Sequence, residues 1–147
     1  MTPSKPWQSY RQVATITASP GQLILMLYDG ALRFMQQALL GFAHDDPLEF
    51  NLTINNNILR AQAIIHELDY SLDMKAGGDL SQTLRRLYHY FDNRLQESNV
   101  YKKPEGLNET IKRLLVIRDA WAEMLTKQSD PSADLNPDAV FKLESLG

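Results

Sequence analysis

The side chains best suited to chemistry in this 147-residue chain are three histidines, scattered carboxylates and a run of arginines. His44, His66 and His89 fall in separate stretches. Neither a His-x-x-x-His pair nor a Glu-x-x-His repeat, which would set metal ligands on one helix face, occurs among them. No metal site is therefore expected. The chain has no cysteine, so disulfides, thiolate catalysis and zinc–thiolate sites are excluded. Asp29 and Arg33 stand four apart in the favourable order for a surface ion pair on a helix, not for acid–base work. Gly77, Gly78 and Gly106 lack the spacing of a phosphate-binding loop. Arg85, Arg86, Arg94, Lys102 and Lys103, interleaved with Tyr88, Tyr90 and Tyr101, have the residue types of a single-strand nucleic-acid platform. However, Leu84, Leu87, Tyr88 and Phe91 take the core side of that stretch, and Asp92 and Glu97 dilute its charge. A solvated helix face is expected there, with no nucleic acid bound. The inventory contains no catalytic residue and implies no cofactor.

The elements that carry these residues are legible from their boundaries. Ser19-Pro20-Gly21-Gln22 supplies an N-cap, a proline at the first helical position and the glutamine of a capping box. Asp46-Pro47-Leu48-Glu49 repeats that pattern, Gly77-Gly78-Asp79 should stop one helix and cap the next, and Pro104-Glu105 opens the last. Helices are predicted over 20–43, 47–74, 79–100 and 104–127, each about 30–40 Å long, with a short helix near 7–16 before them. No stretch shows the alternation of a strand. Ile54, Ile58, Ala61, Ile65, Leu68 and Leu72 keep a three-to-four spacing. So do Leu80, Leu84, Leu87, Phe91 and Leu95, and then Leu107, Ile111, Leu114 and Leu125. Arg118 interrupts this last stripe and should snorkel or pair. Short connections make neighbours antiparallel, so the expected fold is all-α: an antiparallel up-down four-helix bundle over residues 1–128, followed by a largely disordered acidic tail over 129–147.

Two helices carry more apolar surface than such a bundle consumes. In 20–43, Leu23, Leu27, Ala31, Phe34 and Ala38 form the inner face, and Leu25, Leu32 and Leu39 form a second stripe. In 47–74, Leu52, Leu59, Ala63, His66 and Tyr70 lie away from the core stripe, with Asn55 and Asn56 alongside. Two readings follow. The N-terminal segment and the tail cover these stripes, or the stripes form a groove for a partner.

The net charge of −3 resides in the tail, where Asp130, Asp134, Asp138 and Glu144 outweigh Lys142. Asn136-Pro137-Asp138 is a helix-opening sequence there, and Val140, Phe141, Leu143 and Leu146 follow it. Gln22, Asp29, Arg33, Gln36 and Gln37 interrupt the most apolar stretch well short of the ~18 clean residues of a membrane span. With no basic and apolar leader at residues 1–9, a cytoplasmic location is expected.

Several of these stretches, in this order, resemble the flagellar secretion chaperone family FliS. The likeness runs from Tyr10 to Trp121. It is densest over Thr17-Ala18-Ser19-Pro20-Gly21-Gln22-Leu23 and Leu27-Tyr28-Asp29-Gly30-Ala31. It continues through Ala61-Gln62, Ile64-Ile65, Glu67-Leu68, Ser71-Leu72-Asp73, Gly77-Gly78 and Leu87-Tyr88. The resemblance implies a non-enzymatic helical bundle that binds the disordered C-terminal segment of flagellin, prevents premature polymerisation and delivers it to the type III export gate. It also implies that the N-terminal segment, here Trp7, Tyr10 and Val13, covers part of the groove or docks at the gate. The groove itself would be lined by Leu25, Leu32, Leu52, Asn55, Asn56, Leu59, Ala63, His66 and Tyr70, bordered by Gln62. The competing reading from another class is a structural or regulatory bundle that self-associates, as a weak homodimer, through the same surface.

Overall fold

The computed structural model describes residues 19–128. The short helix near 7–16, with Trp7, Tyr10 and Val13, and the tail 129–147 lie outside the described residues. Four helices fill the described part: α1 (Pro20–Gly41), α2 (Pro47–Tyr70), α3 (Gly78–Tyr101) and α4 (Glu105–Gln128). Each packs on the helix before and after it, and α4 closes back onto α1. The result is an all-α four-helix bundle, and no strand occurs among the described residues.

The helix starts follow the local chemistry. The Ser19 hydroxyl accepts from the Gln22 amide at 3.2 Å, and the Asp46 carboxylate accepts from the Glu49 amide at 3.1 Å. In both helices proline occupies the first turn, where its missing N–H leaves no partner unsatisfied. The third start differs from expectation. Asp79 lies inside α3, and the N-cap is Gly77, which offers no side chain. The Asp73 carboxylate instead closes the turn before α3, accepting from the amides of Lys75 and Ala76 at 3.1 and 2.9 Å. Gly78 has a φ of 54°, a left-handed conformation that favours glycine.

The expected end of the second helix, at 74, is also corrected. α2 stops at Tyr70, because the Ser71 hydroxyl donates to the Leu68 carbonyl at 2.7 Å and Asp73 draws the chain into its turn. Leu72 therefore leaves the helix but still packs, half-buried, against the core.

The core contains the residues that the three-to-four spacing selects. Ile54, Ile58, Ala61, Ile65 and Leu68 are buried from α2, Leu84, Leu87, Phe91 and Leu95 from α3, and Leu107 and Leu114 from α4. Burying each large side chain contributes about 1.5–3 kcal/mol. Helix α4 comes close to α3 at Gly106, where a Cβ would stand 2.3 Å from the Arg94 carbonyl oxygen.

Candidate functional site: the α2–α3 seam

The two expected stripes have different fates. On α1, Leu32 is only 6% exposed, and Leu25 and Leu39 are half-buried, with Leu39 packed on the core. Their side of α1 is the one that meets α4. There Asp29 accepts from Arg118 at 2.7 Å, Trp121 donates its indole N–H to the Gly21 carbonyl at 2.9 Å, and Tyr28 meets the Trp121 ring edge-on. Leu32 as an open groove residue is therefore corrected: the α1 stripe is the packing surface for α4. Asp29, expected to pair with Arg33, also reaches a partner 89 residues away, Arg118. That hydrogen bond also raises the Arg118 pKa.

The stripe on α2 stays open. Leu52 is 48% exposed, Leu59 52% and Tyr70 87%. His66 and Asn56 are exposed beside them, and Ala63 and Asn55 are half-buried. These residues form one shoulder of α2, beside a seam with α3 that is held by polar side chains. Asn99 donates to Asn55 at 3.0 Å, and Gln62 donates to Gln96 at 3.2 Å and to the Asp92 carbonyl at 3.4 Å. Gln62 is itself buried. That corrects its expected role as a groove border, because both contacts hold the helices together beneath the surface.

Lower on the seam the sequence repeats itself in a way that composition alone does not reveal. His66 and Asp69 on α2, and His89 and Asp92 on α3, are His-x-x-Asp pairs on antiparallel helices. They cross over. His66 Nε2 lies 3.2 Å from Asp92 Oδ1, and His89 Nε2 lies 3.3 Å from Asp69 Oδ2. Arg85 adds a bond to Asp69 at 3.0 Å. The first contact is an ion-pair approach only, since Asp92 Oδ1 has no hydrogen-bond partner among the described residues. These pairs flank a cleft of about 410 Å³ floored by Ile65 and Tyr88, with Tyr70 and Asn93 at its rim. No group of three or more metal-ligating side chains converges there or elsewhere among the described residues.

The basic run distributes over the same helix. Arg85 is committed to Asp69, and Arg94 bonds Glu97 at 2.7 Å and Glu109 at 3.3 Å. Tyr90 donates to Glu109, and the Arg113 guanidinium lies over its ring. Tyr88 is buried, whereas Tyr90 and Tyr101 stay exposed.

The arrangement is an apolar ridge beside a hydrogen-bonded polar seam that two crossed His–Asp contacts close. The family model described as Flagellar protein FliS matches residues 3–128. The chain belongs to the FliS family. It is 33% identical over 128 residues to the flagellar secretion chaperone FliS of Bacillus subtilis strain 168, covering 87% of this chain and 92% of that protein. It is 31% identical over 126 residues to the FliS of Salmonella typhimurium strain LT2, covering 83% of this chain and 91% of that protein. With the FliS of Escherichia coli K12 the identity is 30% over 133 residues, 88% of this chain and 96% of that protein. The FliS family is a chaperone family of flagellum biogenesis. In this FliS-family chain no helix among the described residues is long and apolar enough to cross a membrane.

Proposed function

We propose that this chain is a cytoplasmic, non-enzymatic export chaperone that binds the disordered C-terminal segment of flagellin. Bound there, it prevents premature polymerisation and assists delivery to the flagellar type III export apparatus. The observation that carries the reading is the open shoulder of α2, where Leu52, Leu59 and Tyr70 stay exposed in line along one face of the helix.

A filament-forming terminus has an apolar stripe that self-associates when free. An open apolar ridge buries such a stripe reversibly, in the manner of a helix laid in a groove. Asn55, Asn56, Ala63 and His66 border the ridge and make it selective without a fixed charge. The client must be ordered on binding, and that cost keeps the complex releasable. Trp7, Tyr10 and Val13 are assigned to covering the groove or to docking at the export gate, on the family resemblance.

Titrating the chain with a peptide of the flagellin C-terminal segment tests the proposal, and a one-to-one complex is the expected result. Concentration-dependent dimerisation with no peptide bound would instead support the self-associating bundle.

A further inference from the structure

The open ridge and the acidic end of the chain are related by where α4 stops. The up-down order puts the end of α2, the start of α3 and the end of α4 at one pole of the bundle. Tyr70, the most exposed large apolar side chain, stands at that pole, and residues 129–147 follow α4 from it. Neighbouring axes in such bundles lie 8–10 Å apart, so the diagonal from α4 to α2 is about 11–14 Å. The eight residues 129–136 span up to about 28 Å when extended, ample for that crossing.

Next come Asn136-Pro137-Asp138, a helix opening, and Val140, Leu143 and Leu146 at three-residue intervals, with Ala139 and Phe141 beside them. A helix over residues 137–146 is about 15 Å long, and the ridge from Tyr70 to Leu59 is about 16 Å. Segment and ridge match in length, and the connecting residues reach from one to the other.

We propose that residues 137–146 dock as a short amphipathic helix on the α2–α3 seam of their own molecule, between Tyr70 and Leu59, and compete there with the client. Ten residues are too few to hold a helix in water alone, so the segment orders on the ridge and leaves readily. Asp138 in its first turn suits the helix dipole, and Lys142 and Glu144 project from the segment between its apolar positions. The competition clause rests on the proposed client site, whereas the docking clause does not.

The absence of cysteine allows a direct test on the full chain. A nitroxide on Ser145→Cys should broaden the amide signals from Leu59 to Tyr70, equally in dilute and concentrated samples, and Leu143→Glu should abolish the effect. Broadening elsewhere, none at all, or broadening that requires a second molecule would overturn the docking. Truncation after Asp130 should tighten binding of the flagellin peptide about two- to tenfold, the factor by which an occupied site lowers apparent affinity. Unchanged peptide affinity with the broadening present would overturn the competition. If neither the full nor the truncated chain binds peptide while the broadening persists, the docking stands and the client assignment falls.

Discussion

The hydroxyl of Tyr28 on α1 lies 2.5 Å from the hydroxyl of Tyr88 on α3, and both rings are buried. The pair joins two helices that occupy opposite corners of the bundle, through a core that is mostly apolar. Each hydroxyl is the other's partner, so removing one strands its fellow. Tyr28→Phe or Tyr88→Phe should each lower stability by about 1–3 kcal/mol in denaturant unfolding. The double phenylalanine variant should cost less than the sum of the two, because no buried hydroxyl then lacks a partner.

The same pair predicts an alkaline limit. Burial pushes the Tyr28 pKa up to about 12 from 10.0, against the lowering effect of its bond to Tyr88. Burial, first, and the neighbouring Tyr28 raise Tyr88 as well. A group whose folded pKa is raised holds its proton longer in the folded state. Its contribution is complete below pH 10 and is lost as pH rises from there through the folded value near 12. For Tyr28 this amounts to something on the order of 3 kcal/mol. Unfolding curves between pH 9 and pH 12 should show stability falling, and the double phenylalanine variant should flatten that decline.

Leu59 and Ile65 divide binding from folding on one helix. Leu59 is 52% exposed and Ile65 1%. Leu59→Glu should keep its helix content and melting temperature yet lose flagellin peptide, because the client's apolar stripe would meet an unpaired carboxylate at a cost of several kcal/mol, about a thousandfold in affinity. Ala63→Glu, on the same shoulder, should behave alike. Ile65→Glu should unfold the chain. Circular dichroism and peptide titration on each variant check the division, and a Leu59→Glu chain that still binds would move the client elsewhere.

The two expected apolar stripes should respond in opposite ways to truncation. Leu32→Ala opens a cavity between α1 and α4 and should cost about 2–4 kcal/mol. Leu52→Ala, at a half-exposed position, should cost less than about 1 kcal/mol and weaken peptide binding instead. Equal losses of stability in denaturant melts would contradict the burial of one and the openness of the other.

Gly106 should tolerate no side chain. The Cβ of Gly106→Ala would approach the Arg94 carbonyl oxygen at 2.3 Å and the Ser98 hydroxyl at 2.6 Å, forcing α3 and α4 apart. The expected loss is about 2 kcal/mol or more, measured by denaturant unfolding. Unaltered stability would mean that the two helices can separate there without penalty.

Local chemistry and periodicity determined most of the bundle. Ser19-Pro20 and Asp46-Pro47 name helix starts because their caps act within four residues, and the stripe from Ile54 to Leu68 names its own buried face. The family signature was legible too, in Leu27-Tyr28-Asp29-Gly30-Ala31 and the turn at Gly77-Gly78. Tertiary structure decided which second stripe is open. Leu32 and Leu59 are both leucines beside a core stripe, and the sequence does not separate them. One faces α4 while the other has no described neighbour across its shoulder, since burial depends on what the chain brings alongside from far away. The Asp29–Arg118 bond was hidden for the same reason, since its partner is held by a packed helix 89 residues on. The crossed His66–Asp92 and His89–Asp69 pairs required α2 and α3 to run antiparallel in one particular register. Spacing along one helix fixes neither the partner helix nor its register, because both come from the packing of the whole bundle.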